Sequence, residues 1–131
     1  MLVDTSGFFC LLDKGDRRHL KAESFYDAAE RRLTHGYVLA ELIPLCHRRG
    51  VNRNKTLLYV CDLIDNEEIE IVWVDESLHR LALAFLQSRP DKDYSLCDAV
   101  SFLLMREHSV IEALTTDHHF EQEGFRCMLG A

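Results

Sequence analysis

The chain reads as an α/β domain: a mainly parallel sheet with helices on both faces. Three observations predict this. Short β-branched or apolar runs alternate with helical segments from one end to the other. The run Ile69–Val74, I-E-I-V-W-V, is the clearest strand. Ser77–Gln87 carries Leu78, Leu81, Ala82 and Phe85 at helical spacing. Strands separated by helices are joined by crossovers, and crossovers favour parallel pairing. With 131 residues, 47% hydrophobic and 28% charged, one domain over residues 1–131 is expected, large enough to need no disulfide staple.

The elements follow in order. Met1–Val3 is a short strand leading to Asp4. Thr5-Ser6-Gly7 offers N-cap residues for a helix carrying Phe8, Phe9, Leu11 and Leu12. Asp16 can cap a second helix, with Leu20, Phe25, Ala28 and Ala29, reaching to about Arg31. A short strand at Arg32–Thr34 precedes a helix over Tyr37–Arg49, which Gly50 stops. Pro44 removes one donor inside that helix and should bend it. A helix over Asn54–Asp65 comes before the strand at 69–74, whose Trp73 reads as a core residue. After the 77–87 helix, Arg89–Tyr94 is a loop. Ser95 then caps a nearly all-apolar helix, Leu96–Met105, which must be buried on most sides. A strand at Glu112–Thr115, a helical turn at His118–Glu123 broken by Gly124, and a strand at Phe125–Leu129 close the chain.

Charge and cysteines narrow the function. A net charge of −7 argues against a module that binds nucleic acid by charge alone. It leaves open a metal nuclease, in which the cation supplies the local positive charge. The five cysteines form no C-x-x-C pair and suit reduced thiols in the cytoplasm. No apolar run approaches a membrane span, and the start lacks the pattern of a signal peptide, so a cytoplasmic protein is expected.

The chemistry is expected in four acids: Asp4, Glu41, Asp98 and Asp117. Asp4 and Asp117 each follow a strand and precede a helix, and Glu41 lies in the helix after the strand ending near Thr34, roughly two turns on. In parallel sheets such positions meet at the carboxyl edge, where ligands bind. Asp98 sits in the first turn of the greasy helix, as a partner of the helix dipole or a ligand. If all four met within about 5 Å, each charged pair would repel by roughly 3 kcal/mol at an effective dielectric of ~20. Such a set persists with raised pKa values or a bound cation. Oxygen donors suit Mg²⁺ or Mn²⁺ rather than zinc. The plain alternative is a set of capping or solvated surface acids.

These residues also carry a family pattern. Val3-Asp4-Thr5-Ser6, Thr34 with Val38-Leu39-Ala40-Glu41-Leu42, Ser95-Leu96-Cys97-Asp98-Ala99, and Thr115-Thr116-Asp117-His118-His119-Phe120 with Gly124-Phe125 occur in that order. Over nearly the whole chain the sequence resembles the PIN-domain ribonucleases and, among them, the VapC-like toxins of type II toxin–antitoxin pairs. The resemblance implies a three-layer α/β/α fold and Mg²⁺- or Mn²⁺-dependent endoribonuclease activity. It implies Asp4, Asp98 and Asp117 as metal ligands, the last directly or through water, and Glu41 as the residue that orients or deprotonates the attacking water. It further implies that the Ser6 hydroxyl bonds to a carboxylate, that the chain forms a homodimer, and that a small VapB-like antitoxin restrains it.

Other residues are weighed against plainer roles. Arg48, Arg49 and Arg53, with Lys55, could hold RNA phosphates near the acids or simply form a solvated helix end. His118-His119 has no Cys or His partner at ligand spacing, so surface or peripheral substrate contacts are favoured over metal ligation. Cys46-His47 reads as structural, and Ser95 as a plain cap. Two readings compete with the toxin. One is a housekeeping RNA-processing nuclease with no antitoxin, distinguished by the absence of an antitoxin gene upstream. The other is a catalytically silent RNA- or protein-binding module, distinguished by failure to bind Mg²⁺ or Mn²⁺.

Overall fold

The structure is a computed structural model and describes residues 1–130. Five short strands, β1 (Leu2–Val3), β2 (Leu33–His35), β3 (Glu70–Val72), β4 (Glu112–Leu114) and β5 (Arg126–Cys127), form one sheet in the order β3-β2-β1-β4-β5. All four pairings are parallel. The helices are α1 (Thr5–Leu12), α2 (His19–Ala28), α3 (Gly36–Arg48), α4 (Arg53–Asp65), α5 (Glu76–Gln87), α6 (Leu96–Glu107) and α7 (His119–Gln122).

Period-two alternation along the strands sorts the core into two halves. Val3 and Leu114 face one cluster, with Phe8, Val38, Leu42 and Val60 from α1, α3 and α4. Leu2, Leu33 and Ala113 face the other, with Phe102 and Phe120 at its centre. The sheet is therefore covered on both faces, giving the three layers expected. The second half is rich in rings: Phe102 lies 5.0 Å from Tyr94, 5.0 Å from Phe120 and 5.7 Å from Phe125, centroid to centroid. The apolar helix α6 buries eight residues between the layers.

The strand order positions the site. The chain lays β2 and β3 outward on one side of β1, then returns to place β4 on the other side. β1 and β4 thus flank the point where the winding reverses, and their carboxyl ends open there. Gly7 sets the approach of α1 to this point. A Cβ on it would lie 2.1 Å from the Leu114 carbonyl oxygen, and the Asp4 N–H donates to that same oxygen at 3.2 Å. His35, fully buried, joins β2 to α6 through Nε2 and Ser101 Oγ at 2.8 Å. Burial pushes its pKa down to about 3, so the imidazole is neutral around neutral pH.

Several boundaries differ from expectation. α1 begins at Thr5 and is capped by Asp4, whose carbonyl accepts from the Phe8 N–H at 3.0 Å. Thr5-Ser6-Gly7 is thus inside the helix. α3 runs through Pro44 without ending, and Gly50 follows it at φ +76°. The strand predicted at 69–74 shrinks to Glu70–Val72, because as an edge strand it pairs only with β2. Trp73 lies beyond its last pair, against Gly36, and is 60% exposed rather than core. The final strand is only Arg126–Cys127. Among the described residues no helix is long and apolar enough to cross a membrane.

Candidate metal centre

A cleft of about 340 Å³ opens at the carboxyl edge, and all four predicted acids line it. Asp4 comes from the end of β1, Glu41 from α3, Asp98 from the first turn of α6, and Asp117 from the turn between β4 and α7. A larger hollow, about 500 Å³, lies beside Met1, Arg31 and Glu112 at the other ends of the strands and holds none of the predicted site residues.

Asp4 is the buried floor of the cleft, 6% exposed. As the N-cap of α1 its side chain makes no capping bond, so the carboxylate is free for other partners. Thr115 Oγ1 donates to Asp4 Oδ2 at 2.9 Å. That hydroxyl has spent its one proton, so it accepts from Ser6 Oγ at 3.1 Å and from the Asp117 N–H at 3.0 Å. The Thr116 N–H donates to Ser6 Oγ at 3.0 Å. Ser6 therefore reaches the carboxylate through Thr115 and not directly. Burial raises the Asp4 pKa to about 7; the Thr5 N–H and Thr115 oppose this, while Asp98 and Asp117 add to it.

Asp98 serves two ends. It completes a capping box with Ser95: the Ser95 N–H donates to Asp98 Oδ2, and the Asp98 N–H donates to Ser95 Oγ, both at 3.0 Å. Ser95 is thus the plain cap expected, and the box fixes where the carboxylate points. Burial raises the pKa of Asp98; Ser95 opposes this and Asp117 adds to it. Asp117 Oδ1 accepts from the His119 N–H at 2.9 Å, which starts α7. Glu41 is exposed on the cleft wall. The buried Cys97 thiol is pushed far up by burial, with Asp4 and Glu41 acting the same way.

The tightest group differs from the one predicted. Asp98, Asp117 and His119 bring ligand atoms within 4.8 Å of one another, and neither Asp4 nor Glu41 belongs to that group. His119 Nδ1 lies 3.3 Å from Asp98 Oδ2 and 3.3 Å from Asp117 Oδ1. His118 is exposed, while His119, for which the sequence also favours peripheral contacts, lines the cleft between Asp98 and Asp117. Spacing along the chain missed it because Asp98 arrives from a different helix; the available cue was Asp117 poised to cap a turn starting at His119. A fifth acid, exposed Asp93, also lines the cleft and went unremarked in the loop before Ser95.

Of the basic residues, Arg48 lines a cavity of about 260 Å³ that shares Thr5, Glu41 and Leu45 with the acid cleft. Arg49 lies over the Phe9 ring at 5.1 Å, and Arg53 is exposed at the start of α4. These residues fit a divalent cation: three carboxylates provide hard oxygen donors, one imidazole adds a borderline nitrogen, and a positive charge would offset the burial and the neighbouring acids that raise Asp4.

Comparison with known proteins agrees. Residues 1–125 match the PIN domain family. The chain is 30% identical over 126 residues to the 23S rRNA-specific endonuclease VapC20 of two Mycobacterium tuberculosis strains, covering 95% of each chain. It superimposes on the crystal structure of Mycobacterium tuberculosis VapC20, described as a sarcin–ricin loop cleaving toxin. The TM-score is 0.84 at 26% identity, over 95% of each chain. The fold, the strand-end acids and these matches place the chain in the PIN-domain family.

Proposed function

We propose that this chain is a metal-dependent endoribonuclease, the toxin of a toxin–antitoxin pair, and that its substrate is 23S ribosomal RNA. The observation that carries the reading is the buried Asp4 at the foot of a cleft that Glu41, Asp98 and Asp117 also line. The likeness to VapC20 along 95% of the chain supports the toxin and the substrate.

Asp4, Asp98 and Asp117 would hold Mg²⁺ or Mn²⁺. When bound, such a cation stabilises charge on a phosphodiester and lowers the pKa of water. The protein's own groups do the rest. Glu41, at the solvent side of the cleft, takes the proton of the attacking water as its oxygen bonds to phosphorus. The bond to the departing nucleotide oxygen breaks, and that oxygen is protonated from solvent. Arg48, beside Glu41, holds a substrate phosphate, with Arg49 and Arg53 extending the basic track along the strand of RNA. Thr115 and Ser6 hold Asp4 in place. A small VapB-like antitoxin and a second copy of the chain are the partners this reading implies. Exposed Leu20 on α2 and Leu58 on α4 offer such partners apolar surface.

The substrate is tested by incubating the purified protein and Mn²⁺ with ribosomes, with free 23S RNA, with total tRNA and with mixed transcripts, then mapping the new ends. A dominant cut in 23S RNA is expected. Cutting confined to tRNA or transcripts would overturn the substrate and leave the nuclease standing.

A further inference from the structure

We infer that His119 is itself a metal ligand, through Nδ1, so that the centre has mixed oxygen and nitrogen donors and selects Mn²⁺ over Mg²⁺. This rests on the reading that the cleft holds a divalent cation.

Two carboxylate oxygens and the ring nitrogen converge in this cluster. Each of the two oxygens takes one backbone N–H and keeps a lone pair for a further partner. Asp98 Oδ2 takes the Ser95 N–H at 3.0 Å, and Asp117 Oδ1 takes the His119 N–H at 2.9 Å. Nδ1 makes a hydrogen bond of 3.3 Å to Asp98 Oδ2 and lies 3.3 Å from Asp117 Oδ1, longer than the ~2.7–2.9 Å of charge-assisted bonds. The spacing also suits two ligands of one cation. Donors on adjacent corners of an octahedron, each about 2.1 Å from the cation, stand about 3 Å apart. Nδ1 therefore stands close to ligand-to-ligand distance from each carboxylate.

The ring is also held for the task. Tyr94 meets it edge to face, with centroids 5.3 Å apart. The Tyr94 hydroxyl donates to Glu123 Oε2 at 2.9 Å. Glu123 is fixed in turn by Arg89 through two bonds of 3.2 Å and by Arg106 at 3.0 Å. Burial alone would raise the Glu123 pKa, but these partners hold it below the usual range and keep the carboxylate charged. Fully buried Phe120 anchors α7 one residue on. A ligand locked by such a shell costs little ordering when the ion arrives. Imidazole raises affinity for transition ions above that for Mg²⁺, which prefers oxygen.

The test reads the ion rather than the reaction. Mn²⁺ is titrated into the purified wild type and followed by electron paramagnetic resonance, and spin-echo modulation then reports nitrogen coupled to the bound ion. Growth with isotopically labelled histidine assigns that nitrogen. The wild type should show histidine coupling. His119→Gln should lose it and bind Mn²⁺ at least about tenfold more weakly, with Mg²⁺ affinity much less affected. His118→Gln, altering the exposed neighbour 4.0 Å from Asp117, should keep the coupling. Mn²⁺ bound to the wild type without histidine coupling would overturn the inference and leave the metal reading intact. No Mn²⁺ binding at all would overturn both. The wild-type signal decides even if His119→Gln folds poorly.

Discussion

Asp4→Asn is expected to make the metal-free protein more stable at about pH 8 while lowering RNA cleavage by on the order of 10³-fold. Both effects have one origin. Burial lifts the Asp4 pKa from 3.8 to about 7. Between those values the folded protein keeps a proton that the unfolded chain has released. Stability therefore falls as pH rises across that window and stays lowered above it. At ~1.4 kcal/mol per unit, a neutral amide that still accepts from Thr115 should recover roughly 2–4 kcal/mol. His35 works in the opposite sense. Its pKa falls from 6.5 to about 3, so its stabilising share is lost as pH drops through that range. At about pH 8 His35 is neutral in both folded and unfolded states and adds nothing to the difference. Thermal unfolding in EDTA checks it, and added Mn²⁺ should stabilise the wild type more than the variant. Equal stability of the two in EDTA at that pH would show that Asp4 carries no such burden.

Gly7→Ala should destabilise the fold by about 2 kcal/mol or more and lower the midpoint of thermal unfolding by roughly 5–10 °C. Alanine is a better helix former than glycine by ~1 kcal/mol, so propensity alone predicts the reverse. The clash wins because the added Cβ meets backbone, the Leu114 oxygen at 2.1 Å and its carbon at 3.0 Å, and no side chain can swing away. Relief requires α1 to lift from β4. That separates Asp4 from Leu114 and Thr115, to which its N–H and carboxylate are bonded, so cleavage should fall as well. A variant as stable as the wild type would mean that α1 does not depend on this close approach.

Much of this molecule is legible in its sequence, and the exceptions share a cause. The alternation of strands and helices, the buried α6 and the capping Ser95 follow from local pattern, and each appears where that pattern puts it. Asp4 and Asp117 sit at strand ends, Asp98 in the first turn of α6 and Glu41 in the second turn of α3, and the sheet gathers them at one cleft. What local pattern does not carry is strand order. I-E-I-V-W-V reads as the clearest strand with Trp73 in the core, but β3 is an edge, and Trp73 runs past it into solvent. His119 looks peripheral beside His118 until α6 brings Asp98 within 3.3 Å of it. Thr115 opens the last family motif with no role of its own, yet its hydroxyl joins Asp117 to Asp4 and Ser6, more than a hundred residues away. Each of these roles is made by a partner distant in sequence.

The central claim is that the acid cleft cuts RNA with a divalent ion. It is tested most directly by following RNA cleavage by the purified protein with Mn²⁺, after EDTA, and after excess Mn²⁺ is returned. Cleavage that stops with EDTA and resumes with the metal is the predicted result. Cleavage that continues undiminished in EDTA would contradict it.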